Sequence, residues 1–409
     1  MIAAIVALLG VGADWKFQQL GQPLRDGSEN VGLGVRMSSD GNTVLVTSLD
    51  EQSEFKWSGT SWSAPSQVFA VNTGPIALSG DATVAAIFHK DTNGDPTLVI
   101  MNLTTGTTLM PRVGWVVIQG VDLNSDGSVV ATAENGIIVV RVKGTDGSFV
   151  PVVESNALGL SQFQGPIALT KNSTRDAVLI ATQDSVYAFY FEQYSLLPYD
   201  HFQLSGHRPC PSNPAVAISH DGNFVAVGCS DRDEVHTYKR GDDLQYELQS
   251  TLSGDEQFGF SVSLSGNGSV LVVGARGTEA TTFVGSVNTV GYAEVYHWDG
   301  AKYSPAGRVN SGKAGTLFGT SVSVSASGSR FVVGEPSGNE DDGQAIVYER
   351  VAESADSAAA DSGGLSKTAL GLIIGGSVVG AGLFGFAVYR VRRNRKTDYT
   401  SIKVTQRTE

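Results

Sequence analysis

The side chains best suited to chemistry in this chain are the oxygen-bearing residues of the segment Asp122-Leu123-Asn124-Ser125-Asp126-Gly127. Oxygen ligands at alternate positions, followed by a turning glycine, are typical of calcium-binding loops. The pattern is incomplete, because Val130 stands where such a loop would carry a further acidic residue. If the chain binds a metal, we expect Ca²⁺ at Asp122, Asn124 and Asp126. Otherwise these residues form a solvated turn, as do the weaker acidic loops at 91–95 and 339–342.

No arrangement typical of an enzyme stands out in the rest of the chain. The six histidines have no metal-ligand spacing, and neither a phosphate-binding glycine loop nor a nucleophile elbow occurs. We therefore expect no catalytic residues and no cofactor other than calcium. Because paired carboxylates can come from distant parts of a fold, an enzyme acting on glycans stays open.

The two cysteines, Cys210 and Cys229, lie near each other in the sequence. A hairpin turn at Asp221-Gly222 would bring Cys229 opposite Pro214, only a few residues from Cys210. We predict a disulfide in preference to two free thiols, which suits an oxidising compartment.

The segment Asp122–Gly127 and Cys229 belong to a strand–turn–strand unit that occurs seven times, at intervals of 41 to 60 residues. This interval is close to the length of one propeller blade. The turns are centred near Asp40, Asp81, Asp126, Thr174, Asp221, Asn267 and Ser327.

Each unit predicts four strands. The turn residues tolerate the positive φ of a tight hairpin, and the apolar run after the turn is typical of a strand covered on both faces. A third strand and a second hairpin follow. The last unit lacks a fourth strand, while Trp15–Leu20 precedes the first unit as a surplus strand. We predict an all-β fold, a seven-bladed β-propeller whose N-terminal strand closes the last blade. Two stacked sandwiches or an open array of hairpins are the alternatives.

Six segments carry a family resemblance: Phe258–Leu264, Leu271–Ala275, Gly291–Trp298, Phe318–Val322, Trp15–Leu24 and Phe55–Trp62. The first four resemble the FG-GAP repeat of integrin α-subunit propellers. The last two resemble outer strands of FG-GAP-type proteins in microbial eukaryotes, which implies the single-pass membrane form. The Phe-Gly pair is clear in the sixth and seventh units only. The resemblance implies a propeller over residues 14–351 and says little about activity, because propellers host many functions.

A run of twenty-two uncharged residues, Thr368–Tyr389, is long enough to cross a bilayer as a helix. A basic cluster follows it, which places the C-terminus in the cytosol. A buried core helix is the alternative. Residues 1–13 are apolar and end in small residues, as a signal peptide does. We predict a signal peptide (1–13), a propeller ectodomain (14–351), a flexible stalk (352–367), a transmembrane helix (368–389) and a cytoplasmic tail (390–409).

This organisation predicts a type I protein of the plasma membrane or the secretory pathway, with the propeller outside or in a lumen. The bilayer is then one partner. The net charge of −13 makes nucleic acid an improbable partner. Three sequons, at Asn102, Asn172 and Asn267, lie in the proposed exterior part and are candidate glycosylation sites, although a tight hairpin turn restricts access to Asn267.

Binding is expected on one rim of the propeller. The longest insertion is Arg276–Tyr292, and within it Arg276 and Phe283 are candidate ligand contacts; packing of Phe283 against a neighbouring blade is the alternative. Two GxxxG spacings in the membrane segment suggest a dimer. In the tail, Tyr399 and Ile402 have the spacing of a Tyr-based sorting signal.

The sequence favours a non-enzymatic surface protein whose propeller recognises or adheres to an extracellular protein or glycan. One alternative is a membrane-tethered ectoenzyme that acts on glycans. Another is a luminal trafficking or quality-control protein of the secretory pathway.

Overall fold

The computed structural model describes residues 15–351 apart from 71–73, 91–95, 114–117, 155–164, 172–176, 182–185, 193–194, 204–209, 211–213, 244, 278, 283–284 and 338–341. The chain divides into two compact units, Met1–Val351 and Ala352–Glu409, and all described residues belong to the first.

Several predicted features lie outside the described residues. These are the signal peptide, the stalk, the transmembrane helix 368–389 and the cytoplasmic tail. Within the described part of the chain, no helix is both long and apolar enough to span a bilayer.

The described residues form thirty β-strands and a short 3₁₀ helix at Ser230–Arg232. The first fifteen strands are β1 (Phe17–Gln19), β2 (Gly34–Met37), β3 (Thr43–Thr47), β4 (Glu51–Lys56), β5 (Ser66–Ala70), β6 (Ile76–Leu78), β7 (Val84–Lys90), β8 (Pro96–Asn102), β9 (Thr107–Val113), β10 (Ile118–Leu123), β11 (Val129–Glu134), β12 (Ile137–Lys143), β13 (Phe149–Glu154), β14 (Ile167–Leu169) and β15 (Ala177–Ala181). The others are β16 (Val186–Glu192), β17 (Ser195–Gln203), β18 (Ala215–Ile218), β19 (Phe224–Cys229), β20 (Glu234–Arg240), β21 (Tyr246–Ser253), β22 (Phe258–Leu264), β23 (Val270–Ala275), β24 (Glu279–Thr282), β25 (Gly285–Asn288), β26 (Tyr292–Trp298), β27 (Tyr303–Asn310), β28 (Ser321–Val324), β29 (Arg330–Glu335) and β30 (Gln344–Arg350).

The turn between the first two strands of a unit is stabilised by its own side chains. In the first unit, the Ser38 hydroxyl donates to Asp40 Oδ1 at 2.5 Å and accepts the backbone N–H of Thr43 at 2.9 Å. In the fifth unit, Ser219 and Asp221 repeat the serine–aspartate hydrogen bond at 2.6 Å. Short polar side chains that bond the local backbone favour a tight turn over a continued strand. Three of the seven hairpins carry this Ser-x-Asp pattern, and the other four carry related pairs of short polar residues at the same two positions.

In the described part of the chain, the strands form seven four-stranded antiparallel sheets, here called blades one to seven, and one two-stranded hairpin, β24–β25. Their innermost strands contact one another in order, and the last contacts the first, so the ring is closed. The predicted all-β propeller is confirmed. The blades are β2–β5, β6–β9, β10–β13, β14–β17, β18–β21, then β22, β23, β26 and β27, and finally β28, β29, β30 and β1.

The ring is closed by the N-terminal strand, as the surplus segment Trp15–Leu20 predicts. Strand β1 pairs antiparallel with β30, with Phe17 opposite Arg350 and Gln19 opposite Tyr348. The Leu24 N–H then donates to the carbonyl of Ala345 at 2.8 Å. The first strand therefore covers an edge of blade seven that would otherwise be unpaired.

Adjacent blades approach most closely where a glycine of one faces the backbone of the next. A Cβ added to the first glycine of each pair would lie only 2.0–2.2 Å from the carbonyl oxygen of the second, so no side chain fits. The pairs are Gly228 with Gly259, Gly274 with Gly319, and Gly334 with Gly32.

The Phe-Gly pairs of the sequence belong to this contact. Gly259 and Gly319 have φ of +88° and +92°, and the phenylalanines before them, Phe258 and Phe318, are fully buried. In blade one, Gly32 has a φ of +100° and follows Val31, which is also fully buried. Blade one is therefore a third copy of the motif with valine in place of phenylalanine, and the sequence pattern alone did not reveal it.

Candidate functional site

The innermost strands line a central channel, and they carry a similar short sequence in every blade. Two positions in each blade face the channel. The first, here called the strand position, lies two residues before the turn and is occupied in blade order by Arg36, Ala77, Asp122, Ala168, Ala217, Ser263 and Ser323. Five of these residues are alanine or serine, so Arg36 and Asp122 are the exceptions.

The strand position also joins one blade to the next. The Ser263 hydroxyl accepts the N–H of Val324 at 3.1 Å, and the Ser323 hydroxyl accepts the N–H of Met37 at 3.0 Å. Asp122 Oδ2 accepts the N–H of Leu169 at 2.7 Å in the same way. Oδ2 of Asp122 therefore accepts the same inter-blade hydrogen bond that a serine hydroxyl accepts in blades six and seven. The serines have no counterpart of the second carboxylate oxygen, Oδ1.

The second position, here called the turn position, is the second residue of each hairpin turn. A Cβ added to Gly80 there would lie 2.5 Å from Ser39 Oγ and 2.6 Å from Ser125 Oγ, so neighbouring turns crowd each other. Only blades four and five carry a large side chain at this position. The residues in blade order are Ser39, Gly80, Ser125, Lys171, His220, Gly266 and Ala326.

The turns are also joined through their backbones on this face. The Ser39 N–H donates to Gly80 O at 2.8 Å, and the Ala326 N–H donates to Ser39 O at 2.9 Å. The Gly266 N–H likewise donates to Ala326 O at 2.8 Å. The Asp221 N–H donates to Gly266 O at 3.3 Å, so the turn that carries His220 is joined to blade six in the same way.

Two of the four exceptional residues form an ion pair across the interface of blades three and four. Lys171 Nζ lies 2.8 Å from Asp122 Oδ1 and also donates to the carbonyl of Leu123. Both side chains are largely buried, with 14% and 17% of their surface exposed. The amide N–H of Leu123 adds a further bond to Asp122 Oδ1. Both carboxylate oxygens of Asp122 therefore accept hydrogen bonds from protein donors.

His220 lies beside this ion pair. Burial, with a smaller contribution from the positive charge of Lys171, lowers the pKa of His220 to about 4; Asp122 and Asp221 act in the opposite direction. The imidazole is thus neutral at physiological pH.

Arg36 is half-buried in the channel wall. Its Nη1 donates to the carbonyl of Val35 at 2.9 Å, its one hydrogen bond within the described residues. Burial lowers the pKa of Arg36, and the negative charge of Asp122 opposes this shift. Arginine is nevertheless always charged in proteins, so Arg36 supplies a fixed positive charge.

Three adjoining cavities follow the channel. The upper cavity, of about 450 Å³, opens where the innermost strands begin, and Arg36 is the one charged residue among the described residues that line it. The inner cavity, of about 140 Å³, is lined by all four exceptional residues. The lower cavity, of about 460 Å³, opens at the turns beside Lys171, His220 and Asp221. Arg36 therefore lies at the junction of the upper and inner cavities.

The three residues predicted to bind calcium have separate partners. Asp122 points into the channel and pairs with Lys171. Asn124 Oδ1 accepts the N–H of Val129, and Asp126 Oδ1 accepts the N–H and hydroxyl of Ser128. Among the described residues there is no group of three or more His, Cys, Asp or Glu that could hold a metal ion. The calcium site stays a prediction that these contacts do not support.

The predicted disulfide is formed. Cys210 and Cys229 are bonded, with their Cα atoms 5.5 Å apart. The pairing of Ala215 with Gly228 places Cys229 beside the start of β18, as the hairpin turn predicts. Both cysteines are buried in the apolar cluster shared by blades four and five. The bridge therefore stabilises the entry to blade five.

The predicted contact Arg276 lies at the base of the longest insertion. Its guanidinium stacks on the Phe260 ring, 4.2 Å from the centroid, and its Nε donates to Gln257 Oε1 at 3.2 Å. Burial lowers the pKa of Arg276. The insertion continues as the hairpin β24–β25, whereas Phe283 lies outside the described residues.

On the face that carries the lower cavity, Asn102 ends strand β8 just before a turn, and Asn267 lies in a turn. Asn267 is exposed and its Oδ1 accepts the N–H of Ser269, while Asn102 Oδ1 accepts the N–H of Thr104. The third sequon, at Asn172, lies outside the described residues, as do Tyr399 and Ile402.

Sequence reasoning did not find the cluster of Arg36, Lys171 and His220, and it assigned Asp122 a different role. A signal was present: aligning the seven units on their turns shows small residues at five of seven strand positions and five of seven turn positions. The four departures converge in space because both positions face the channel axis.

The closed ring of antiparallel sheets and its central channel define the chain as a β-propeller protein. Among solved structures, it is similar to the β-propeller domain of Cps50 (Swd1) from Myceliophteria thermophila, with a TM-score of 0.56 and 11% sequence identity. The match covers 82% of this chain and 99% of that domain. At this identity, the similarity shows the fold alone.

No known protein-family model matches the sequence, and no curated protein matches it either. The β-propeller part of the predicted resemblance is therefore supported, whereas membership of the FG-GAP family is not confirmed.

Proposed function

We propose that this chain is a membrane-tethered recognition protein, whose seven-bladed propeller binds an extracellular protein or glycan without catalysing a reaction. In this proposal the propeller faces the cell exterior or a secretory lumen. The segment 368–389 anchors it, and the C-terminus lies in the cytosol.

The observation that carries the recognition proposal is the hairpin β24–β25. It is inserted between β23 and β26 of blade six, on the face where each unit's second strand ends, here called the upper face. Across the described residues, no other blade has a hairpin between its second and third strands. Arg276 holds the base of this insertion on blade six through Phe260 and Gln257. A projecting loop on a rigid scaffold is a common arrangement for binding.

The disulfide supports the proposed compartment. Disulfides persist in secreted proteins and in the secretory lumen but are rare in the cytosol. The uncharged run Thr368–Tyr389 and the arginines that follow it support the anchoring and its orientation.

The channel supports a non-enzymatic role. Asp122 is the one carboxylate among the described residues that line the inner cavity, and Lys171 neutralises it. Glycoside hydrolysis uses two carboxyl groups on either side of the scissile bond. Within the described lining of the inner cavity, Asp122 is bound to a cation, which favours the non-enzymatic proposal over the ectoenzyme alternative.

The recognition proposal is tested by removing the hairpin alone. Gly277 and Gly291 adjoin at its base, since a Cβ on Gly277 would lie 2.9 Å from the Gly291 nitrogen. Deleting residues 278–290 therefore joins neighbouring points and leaves blade six intact. The full chain, displayed on cells, is screened against arrayed glycans and cell-surface ectodomains before and after the deletion.

We expect the deletion variant to lose at least about tenfold in affinity for any array member that the unmodified chain binds. The matched control replaces Lys302 by Ala in the exposed β26–β27 turn on the opposite face, and it should bind normally. A deletion variant that folds, by circular dichroism, and binds as well as the unmodified chain would refute the role of the hairpin.

The topology is tested separately. Epitopes added after residue 14 and at the C-terminus are probed on intact and permeabilised cells. We expect the first epitope to be accessible on intact cells, or inside sealed vesicles, and the second only from the cytosol. Equal accessibility of both epitopes from the cytosol would exclude the proposed membrane orientation.

A further inference from the structure

The upper cavity contains two polar groups whose bonding is incomplete. Arg36 carries five N–H donors, and its single hydrogen bond within the described residues goes to the Val35 carbonyl. Thr47 is 3% exposed, and its hydroxyl is buried without a hydrogen-bond partner. Both residues line the upper cavity. Since buried polar groups are almost always hydrogen-bonded, the Thr47 hydroxyl is an exception, and the half-buried Arg36 has further N–H donors available in the same cavity.

The charge of the upper cavity is positive. None of the ion pairs within the described residues includes Arg36. The nearest source of negative charge, Asp122, lines the inner cavity and is already paired with Lys171. A ligand in the upper cavity would therefore encounter one uncompensated positive charge.

The other hydroxyl groups of this cavity are already engaged as donors. Ser261 donates to the Gly319 carbonyl at 2.9 Å, Ser321 to the Gly32 carbonyl at 2.8 Å, and Thr320 to the Leu317 carbonyl at 2.7 Å. They hold adjacent parts of the ring together. Arg36 and Thr47 are thus the side-chain donors left for a ligand among the described residues that line the cavity.

The cavity walls are otherwise largely apolar. Leu33, Pro75, Pro166, Val216 and Phe260 contribute to them. A volume of about 450 Å³ accommodates a molecule with a ring or a short chain in addition to one charged group. Arginine binds carboxylates and phosphates alike with two parallel hydrogen bonds. The one positive charge of this cavity balances a carboxylate monoanion but only half of a phosphate dianion, which favours the carboxylate.

We propose that the upper cavity binds a small organic carboxylic acid, with the carboxylate on Arg36 and Thr47 and the apolar body against the channel walls. This site is separate from the hairpin β24–β25, so it stands or falls independently of the recognition function proposed above.

The test uses the full purified chain and a matched pair of probes. Phenylacetate has a carboxylate and an apolar ring, whereas phenylacetamide has the same shape without the charge. Binding is measured by isothermal titration calorimetry, and circular dichroism checks the fold of each variant. We expect phenylacetate to bind with saturation, and phenylacetamide to bind at least about tenfold more weakly, since a hydrogen bond to a charged group contributes at least that much.

Three variants locate the site. Arg36→Gln should weaken phenylacetate binding at least about tenfold and bring the two probes to similar affinities. Thr47→Val keeps the size of the side chain and removes only the unpartnered hydroxyl, so it should fold normally and weaken binding about threefold or more. Arg232→Gln changes an exposed arginine in the 3₁₀ helix and should bind as the unmodified chain does.

The proposal is overturned if phenylacetate does not bind, if phenylacetamide binds equally well, or if Arg36→Gln retains full affinity. Should Arg36→Gln fail to fold, Thr47→Val decides: undiminished phenylacetate affinity in this variant rejects the site.

Discussion

Lys171 of blade four and Asp122 of blade three form an ion pair of 2.8 Å inside the propeller channel, and Asp122 also accepts the backbone N–H of Leu169. At equivalent positions, Ser263 and Ser323 accept a backbone N–H from the next blade without carrying a charge. Holding adjacent blades together therefore does not require a carboxylate here. The carboxylate and the lysine depend on each other.

This dependence predicts strong coupling between the two side chains. Asp122→Ser retains the oxygen that blades six and seven use but leaves the Lys171 ammonium largely buried without its counter-ion. We expect it to lower the free energy of unfolding by about 2 kcal/mol, less than for a fully buried pair because both side chains are partly exposed. The additional change Lys171→Ser, which installs the residue of blades one and three, should restore most of this loss.

Urea unfolding of both single variants and the double variant completes a double-mutant cycle. A double variant whose destabilisation equals the sum of the two single losses would show that the ion pair contributes no coupling.

The lowered pKa of His220 predicts acid sensitivity. The folded protein holds this histidine neutral down to about pH 4, whereas an unfolded histidine takes up a proton near pH 6.5. The unfolded state therefore binds more protons between these values, and stability falls as the pH is lowered through this window. Once the pH is below both pKa values, the free energy of unfolding is lower by at most about 3 kcal/mol. This value is an upper bound because the ring is only half-buried.

His220→Gln should remove this component, and chemical unfolding at several pH values between 4 and 7 measures it. The variant His297→Gln, which changes a histidine outside the channel lining, serves as the control. If His220→Gln loses stability over this pH range as steeply as the unmodified protein, the assignment to His220 is incorrect.

The glycine contacts between blades predict a steric requirement. A Cβ on Gly274 would lie 2.2 Å from the carbonyl oxygen of Gly319 and 2.3 Å from Ser261 Oγ. Relieving this clash requires a shift of the packed backbone at Gly319, which costs free energy. Gly274→Ala should therefore destabilise the protein by about 3 kcal/mol, in the upper part of the range for overpacking.

Gly312→Ala is the matched control. Gly312 has a φ of +71° and no atom within 4 Å of an added Cβ, so this change tests backbone strain without a clash. It should cost only about 1 kcal/mol. Thermal unfolding that ranks Gly312→Ala as the more damaging change would contradict the steric explanation.

Much of the fold was predictable because each unit carries its own local signals. The turn chemistry of Ser38-x-Asp40, the apolar run after it and the surplus strand Trp15–Leu20 all act within or between short segments. The disulfide was predictable for the same reason, since a hairpin register places Cys229 near Cys210. The contact of Val31-Gly32 was not, because valine at this site conceals its equivalence to Phe258-Gly259.

The channel could not be predicted by inspecting residues one at a time. Asp122 resembles a calcium ligand in its local sequence, and only the ring shows that it faces Lys171 of the next blade. His220 and Arg36 carry no motif at all. Their common feature is that they replace a small residue at a repeated position, and this becomes informative once the repeats are known to converge on one axis.

The disulfide predicts a stability difference that depends on redox chemistry. Cys210 and Cys229 are separated by 19 positions and enclose most of the first hairpin of blade five. Cross-linking a loop of this length restricts the unfolded chain and contributes about 3 kcal/mol. The variant Cys210→Ser/Cys229→Ala should therefore unfold at a correspondingly lower urea concentration. Alanine fits at position 229, since blade six has Ala275 at the equivalent place after its glycine.

The unmodified protein refolded with a thiol reductant should match the variant, and the variant itself should not respond to reductant. Equal midpoints for the oxidised protein and the double variant would mean that the bridge adds nothing to the stability of blade five.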